Sequence, residues 1–161
     1  MIFLPGQERV VAEITNDLVD GTTNIILIPR SVNLQEVEYS LGEGLSQGNQ
    51  YLHSGSLVMA DCKEQSPVLT LSTVFEIDWV DPYAPRTVQN LIRNEGLPDI
   101  IFLRTFADAS VEHRSKWLAC IIEFSEIRTK DRVKCPVFCV VAQAADPTFK
   151  GLSSKLGLKI R

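Results

Sequence analysis

The residues best placed for chemistry lie just beyond hydrophobic runs. Asn24, Ile25, Ile26, Leu27, Ile28 and Pro29 lead into Arg30, Ser31, Val32 and Asn33, after which apolar residues recur at helical spacing. A strand that opens a helix through a glycine-rich turn with a lysine cradles a phosphate chain, and this turn holds neither glycine nor lysine. Arg30, Ser31 and Asn33 are then the residues for an anion, since a helix N-terminus attracts one through its free amides and Arg30 would add charge. The structural alternative leaves Arg30 solvated and uses Ser31 or Asn33 as the helix cap. Without glycine the backbone does not curl closely around a phosphate chain.

Metal-dependent phosphoryl chemistry also needs a carboxylate at the end of a hydrophobic strand. The run Ile100, Ile101, Phe102, Leu103 ends in Arg104; Asp108 comes four residues later, and Asp61 closes an earlier run. Gln143 follows the last run, where such a fold senses a terminal phosphate. Each of these residues also reads as ordinary turn polarity. Ser110 and His113 have the spacing of a helix cap and its support. Cys62, Cys120, Cys135 and Cys139 sit in hydrophobic surroundings and read as reduced, buried thiols. Cys135 and Cys139, four apart on one predicted strand, are expected to point the same way. Zinc needs about four ligands, and only His53 and His113 are left to join them, so no metal site is expected.

Charge divides the chain. From position 128 to 161 there are eight Lys/Arg against two Asp/Glu, a balance of +6; the rest carries eight against eighteen, a balance of −10. Lys130, Arg132, Lys134, Lys155, Lys159 and Arg161 therefore stand as candidates for an acidic partner or nucleic acid, with Trp79, between Asp78 and Asp81, as an exposed anchor.

The elements that would position these residues alternate in type. A helix is predicted over 7–19, with Val10, Val11, Ile14 and Leu18 on one face and Gly21 ending it. A doubly buried strand over 24–28 follows, then a helix with Leu34, Val37, Leu41 and Leu45 on one face, fraying near Gly42 and Gly44 into a loop over 46–50. A strand over 55–62, a short helix from Ser66, a turn at 81–85 and a helix over 87–94 come next. A strand over 98–104, a long helix from Ser110 to about Arg128, a strand over 136–142 and an edge strand over 156–160 complete the chain. Strands alternating with helices specify an α/β fold: a three-layer, doubly wound, mostly parallel sheet in a single domain. No apolar run reaches the ~18 residues of a membrane span and no secretory signal is evident, so a cytoplasmic protein without a membrane partner is expected.

The order NIILIPRSVN, SPVLTLSTVF, LPDIIFLRTF, the tryptophan-bearing RSKWLACIIEF and CPVFCVVAQ resembles the P-loop NTPase core of the AAA and STAND type, in the degenerate form called inactive STAND. The resemblance rests on the order of elements over roughly 7–143. It implies a place among the ATPases and switch proteins of bacterial antiphage and other conflict systems, where BREX operons also carry small P-loop-like subunits. No functional residue of the family transfers, because Arg30, Ser31, Val32 and Asn33 replace the phosphate loop and Arg104 stands where the acid would be. The expected role is a non-enzymatic module that binds another protein, such as an ATPase or DNA-processing subunit, without a cofactor. The alternatives are an atypical nucleotide site and nucleic-acid binding through the basic C-terminal segment.

Overall fold

The computed structural model describes residues 7–52, 57–62, 67, 70–71, 99–132, 135–153 and 157–161. Five strands, β1 (Thr23–Ile28), β2 (Leu57–Asp61), β3 (Ile100–Arg104), β4 (Val137–Gln143) and β5 (Leu158–Ile160), form one sheet in the order β2-β3-β4-β1-β5. Every pairing is parallel: Ile25 lies opposite Val140, Phe102 opposite Cys139 and Asp61 opposite Arg104. Helices α1 (Gln7–Val19) and α2 (Leu34–Leu52) cover one face, and α3 (Val111–Lys130) covers the other. The result is a three-layer, doubly wound α/β fold, as the alternation of elements predicts.

Alternating side chains along each strand feed the two cores. Ile14, Leu18, Leu41 and Leu45 pack on Ile28, Phe102, Cys139 and Val141 beneath α1 and α2; Trp117, Ile121 and Phe124 pack on Ile101, Leu103, Phe138 and Val140 beneath α3. Cys135 belongs to the α3 side, where its thiol donates to the Phe124 carbonyl at 3.4 Å. Cys139 belongs to the opposite side, which corrects the expectation that the two point the same way. Two-residue alternation begins only with β4 at Val137, so Cys135 lies outside the pleat that orients Cys139.

Chain reversals follow local chemistry. Gly21 adopts φ +89° and ends α1. Its amide donates to Leu18 O and that of Thr22 to Asp17 O, the paired bonds of a Schellman cap. Ser110 caps α3 by accepting from the His113 amide at 3.2 Å, and its hydroxyl lies 2.7 Å from His113 Nδ1. The predicted fraying of α2 at Gly42 and Gly44, and the loop over 46–50, are not observed: the helix runs unbroken to Leu52. Both glycines are buried, and a Cβ at Gly42 would stand 3.2 Å from the Phe102 ring and 3.4 Å from Met59. Close helix-to-sheet approach, rather than helix termination, accounts for Gly42.

The edge strand β5 is the predicted one, shortened to three residues. Arg161 continues its ladder, donating to Ile25 O and accepting from Leu27 N. Pro67, Thr70 and Leu71 are helical, as expected of the short helix from Ser66. The remainder of that helix, the turn at 81–85, the helix over 87–94 and Trp79 lie outside the described residues. No helix among the described residues is long and apolar enough to cross a membrane.

Candidate functional site

Chain connections diverge above β1 and β4: β1 leads past β4 and β3 to β2, whereas β4 leads past β1 to β5. This is the switch point at which doubly wound sheets hold ligands. Arg30, Ser31, Asn33 and Gln143 all stand at this end of the sheet, and all four are exposed. Three of the amides here are already engaged. Val32 N donates to Pro29 O at 3.1 Å, closing a four-residue turn around Arg30 and Ser31. Asn33 Oδ1 caps α2 by accepting from Glu36 N at 3.2 Å, and Ala144 N donates to Ile28 O across the mouth at 3.0 Å. Of the two caps weighed from the sequence, the chain uses Asn33.

Asp61, Arg104 and Asp108 gather at a second place, above the ends of β2 and β3. Parallel register sets Asp61 beside Arg104, and their side chains form an exposed ion pair at 3.7 Å. Thr105 follows with φ 60°, a left-handed conformation that a β-branched residue rarely adopts. Three elements meet on it: its amide donates to Glu38 Oε1 of α2 at 2.9 Å, and its hydroxyl lies 2.9 Å from Asp61 Oδ1 and 2.6 Å from Arg104 O. A 3-10 turn, Phe106–Asp108, then carries Asp108 to the rim.

Between this loop and α2 lies a groove of about 280 Å³. Its apolar surface comes from Leu34, Gly42, Met59, Phe102 and Ala107, and its polar groups from Glu38, Tyr39, Glu43, Arg104, Thr105 and Asp108. Desolvation by burial raises the Glu38 pKa above the ordinary glutamate value, and Asp108 and Asp61 push in the same direction; the Thr105 amide and Arg104 oppose them. Tyr39 is 66% exposed at the lip and donates to Glu43 Oε1 at 2.7 Å.

Sequence reasoning passed over Glu38, Tyr39 and Thr105. The signal was present in α2, where Leu34, Glu38 and Gly42 form one row at spacing four and Gln35, Tyr39 and Glu43 the next. A carboxylate between a leucine and a buried glycine lies on the inner side of the helix.

The thiols are built for burial. All four cysteines are free and buried. Desolvation pushes the Cys120 thiol up to about 12 and raises Cys62, Cys135 and Cys139 as well, which suppresses the thiolate that nucleophilic chemistry requires. No three His, Cys, Asp or Glu side chains among the described residues gather into a metal site.

The basic candidates separate into two groups. Arg161 is bound within its own chain: Nε donates to the buried Asn24 Oδ1 at 2.7 Å, Nη1 lies 3.3 Å from Glu13 Oε2, and Nη2 bonds Asp17. Lys159 pairs with the same Asp17 at 3.5 Å. Lys130 and Arg132 are exposed at the far end of α3. Lys134 and Lys155 lie outside the described residues.

No family model and no curated protein sequence matches the chain. Among solved structures, a chain from the Drosophila ORC bound to DNA has a similar fold, with a TM-score of 0.58 at 11% sequence identity. The match covers 97% of this chain and 29% of that one, so the chain spans less than a third of its structural neighbour. The likeness agrees with the parallel sheet and its flanking helices: a doubly wound α/β fold.

Proposed function

We propose that this chain is a non-enzymatic module on a P-loop NTPase-like scaffold, binding another protein as an accessory or regulatory subunit. The partner class is an ATPase or nucleic-acid-processing protein of a bacterial conflict system. One observation supports this reading most: at the switch point, Pro29 O and Asn33 Oδ1 already accept the Val32 and Glu36 amides, leaving a closed turn where a phosphate cradle would be. The neighbouring fold belongs to a DNA-bound complex, consistent with a role in macromolecular assembly. Titration calorimetry with ATP and ADP in the presence of magnesium is expected to give no heat of binding; micromolar affinity would overturn the proposal.

A second reading follows from Lys130 and Arg132, exposed together at the end of α3. Nucleic acid bound there would show a gel shift that weakens steeply with salt. An atypical ATPase would instead release phosphate, and lose that activity on Arg30→Ala or Asp108→Ala.

A further inference from the structure

The groove between α2 and the loop after β3 has a composition that specifies its occupant. Its floor is apolar, from Phe102 and Met59, whereas three carboxylates, Glu38, Glu43 and Asp108, stand around it. Arg104 is the one cation lining it among the described residues, and Asp61 already faces that side chain. Glu38 Oε1 accepts the Thr105 amide, and no bond to Oε2 is found among the described residues. Burial and repulsion from Asp108 and Asp61 both disfavour the Glu38 carboxylate, and a cation beside it would relieve both.

Resting on the protein-binding role above, we propose that this groove receives a lysine or arginine side chain presented by the partner protein. The aliphatic stem lies on Phe102 and Met59, and the cationic head sits between Glu38 and Asp108. Long basic side chains suit such a site because the stem is apolar and only the tip is charged. Tyr39, exposed at the lip, supplies a rigid aromatic contact for the flanking peptide. Charge complementarity thereby assigns the groove to a basic segment of polypeptide.

The test uses the full chain and a capped peptide, Gly-Ser-Leu-Arg-Leu-Ser-Gly, with its citrulline twin, in which the guanidinium is replaced by a neutral group of the same shape. Free agmatine forms a third arm. Amide NMR shifts are expected at Tyr39, Gly42, Met59 and Thr105 with the arginine peptide, and affinity at least ~10-fold weaker, about 1.4 kcal/mol, for the citrulline peptide. Glu38→Gln keeps an acceptor for the Thr105 amide; combined with Asp108→Asn, it should remove the preference for arginine while the thermal midpoint stays within a few degrees. Equal binding of the two peptides, or shifts outside the groove, would overturn the proposal. Agmatine binding as tightly as the peptide would also overturn it, assigning the groove to a small amine. If no peptide binds and magnesium-ATP gives no heat, only the groove assignment fails; if magnesium-ATP binds, the protein-binding role fails first.

Discussion

Replacing Arg161 by alanine tests whether this part of the basic segment is a structural lock. The guanidinium reaches Asn24, which is fully buried in β1, together with Glu13 and Asp17 of α1. Removing it leaves Asn24 Oδ1 without its donor inside the sheet; a hydrogen bond from a charged group contributes about 1.5–3 kcal/mol. The carboxylate contacts lie nearer solvent, with Glu13 48% and Asp17 25% exposed, and together add about 0.5–1 kcal/mol after screening. A loss of about 2–4 kcal/mol moves the thermal midpoint of a chain this size by roughly 5–12 °C. Circular dichroism melts at neutral pH measure it directly. Lysine should recover less than half, because an ammonium lacks the fork that spans Asn24 and both acids. Salt near 1 M, with a Debye length of about 3 Å, should remove the carboxylate share and leave the Asn24 share. A midpoint shift within about 1 °C, or one abolished entirely by salt, would refute the reasoning.

Gly42→Val should destabilise by about 1–3 kcal/mol through overpacking against Phe102 and Met59; in Gly42→Ala a helix-propensity gain of about 1 kcal/mol offsets the closer contact. Urea midpoints that are equal for valine and parent would contradict this. Asn33→Ala should cost about 1 kcal/mol and speed hydrogen exchange at the Glu36 amide, whereas Ser31→Ala should leave both unchanged. An aromatic disulfide reagent should modify none of the four cysteines in the native protein and all four in denaturant, and rapid native labelling of any one would refute their burial. Glu38→Gln should alter the pH dependence of stability. Because the folded pKa is raised, the folded state keeps a proton that the unfolded state releases, and stability falls as pH rises from about the ordinary 4.5 through the folded value. The variant should match the parent below that window and exceed it at neutral pH; a difference that does not grow with pH would count against this.

The layers of the fold were legible because each rests on a periodicity. The helix over 7–19, the strand that became β1 and the Ser110 cap carry signals confined to a few adjacent residues, so no tertiary information is needed to find them. Gly42 shows where this stops: a glycine that ends a helix and one that lets a helix approach a sheet look identical until the Phe102 ring is placed beneath it. The same holds for Arg161, whose partners Glu13, Asp17 and Asn24 lie at the opposite end of the chain. Asp61, Arg104 and Asp108 were legible as polar residues that follow strands. Their meeting depends on the register of β2 with β3, and the acid that completes the groove, Glu38, comes from a helix in which only the apolar face of Leu34, Val37, Leu41 and Leu45 was legible.

The two openings at the carboxyl end of the sheet place opposite demands on a ligand. At the switch point the Val32 and Glu36 amides, two of the backbone donors, are bonded to Pro29 O and Asn33 Oδ1. Above β2 and β3 the charged groups are mostly acceptors: Glu38, Glu43 and Asp108 line the groove, Asp61 adjoins it, and among the described residues Arg104 alone opposes them. A phosphate 4 Å from one of these carboxylates would be opposed by about 4 kcal/mol per unit charge at the effective dielectric of a protein surface. A triphosphate would meet that repulsion from more than one side, whereas a guanidinium would gain from each contact. The charge around the groove thus favours the polypeptide cation proposed above over a triphosphate.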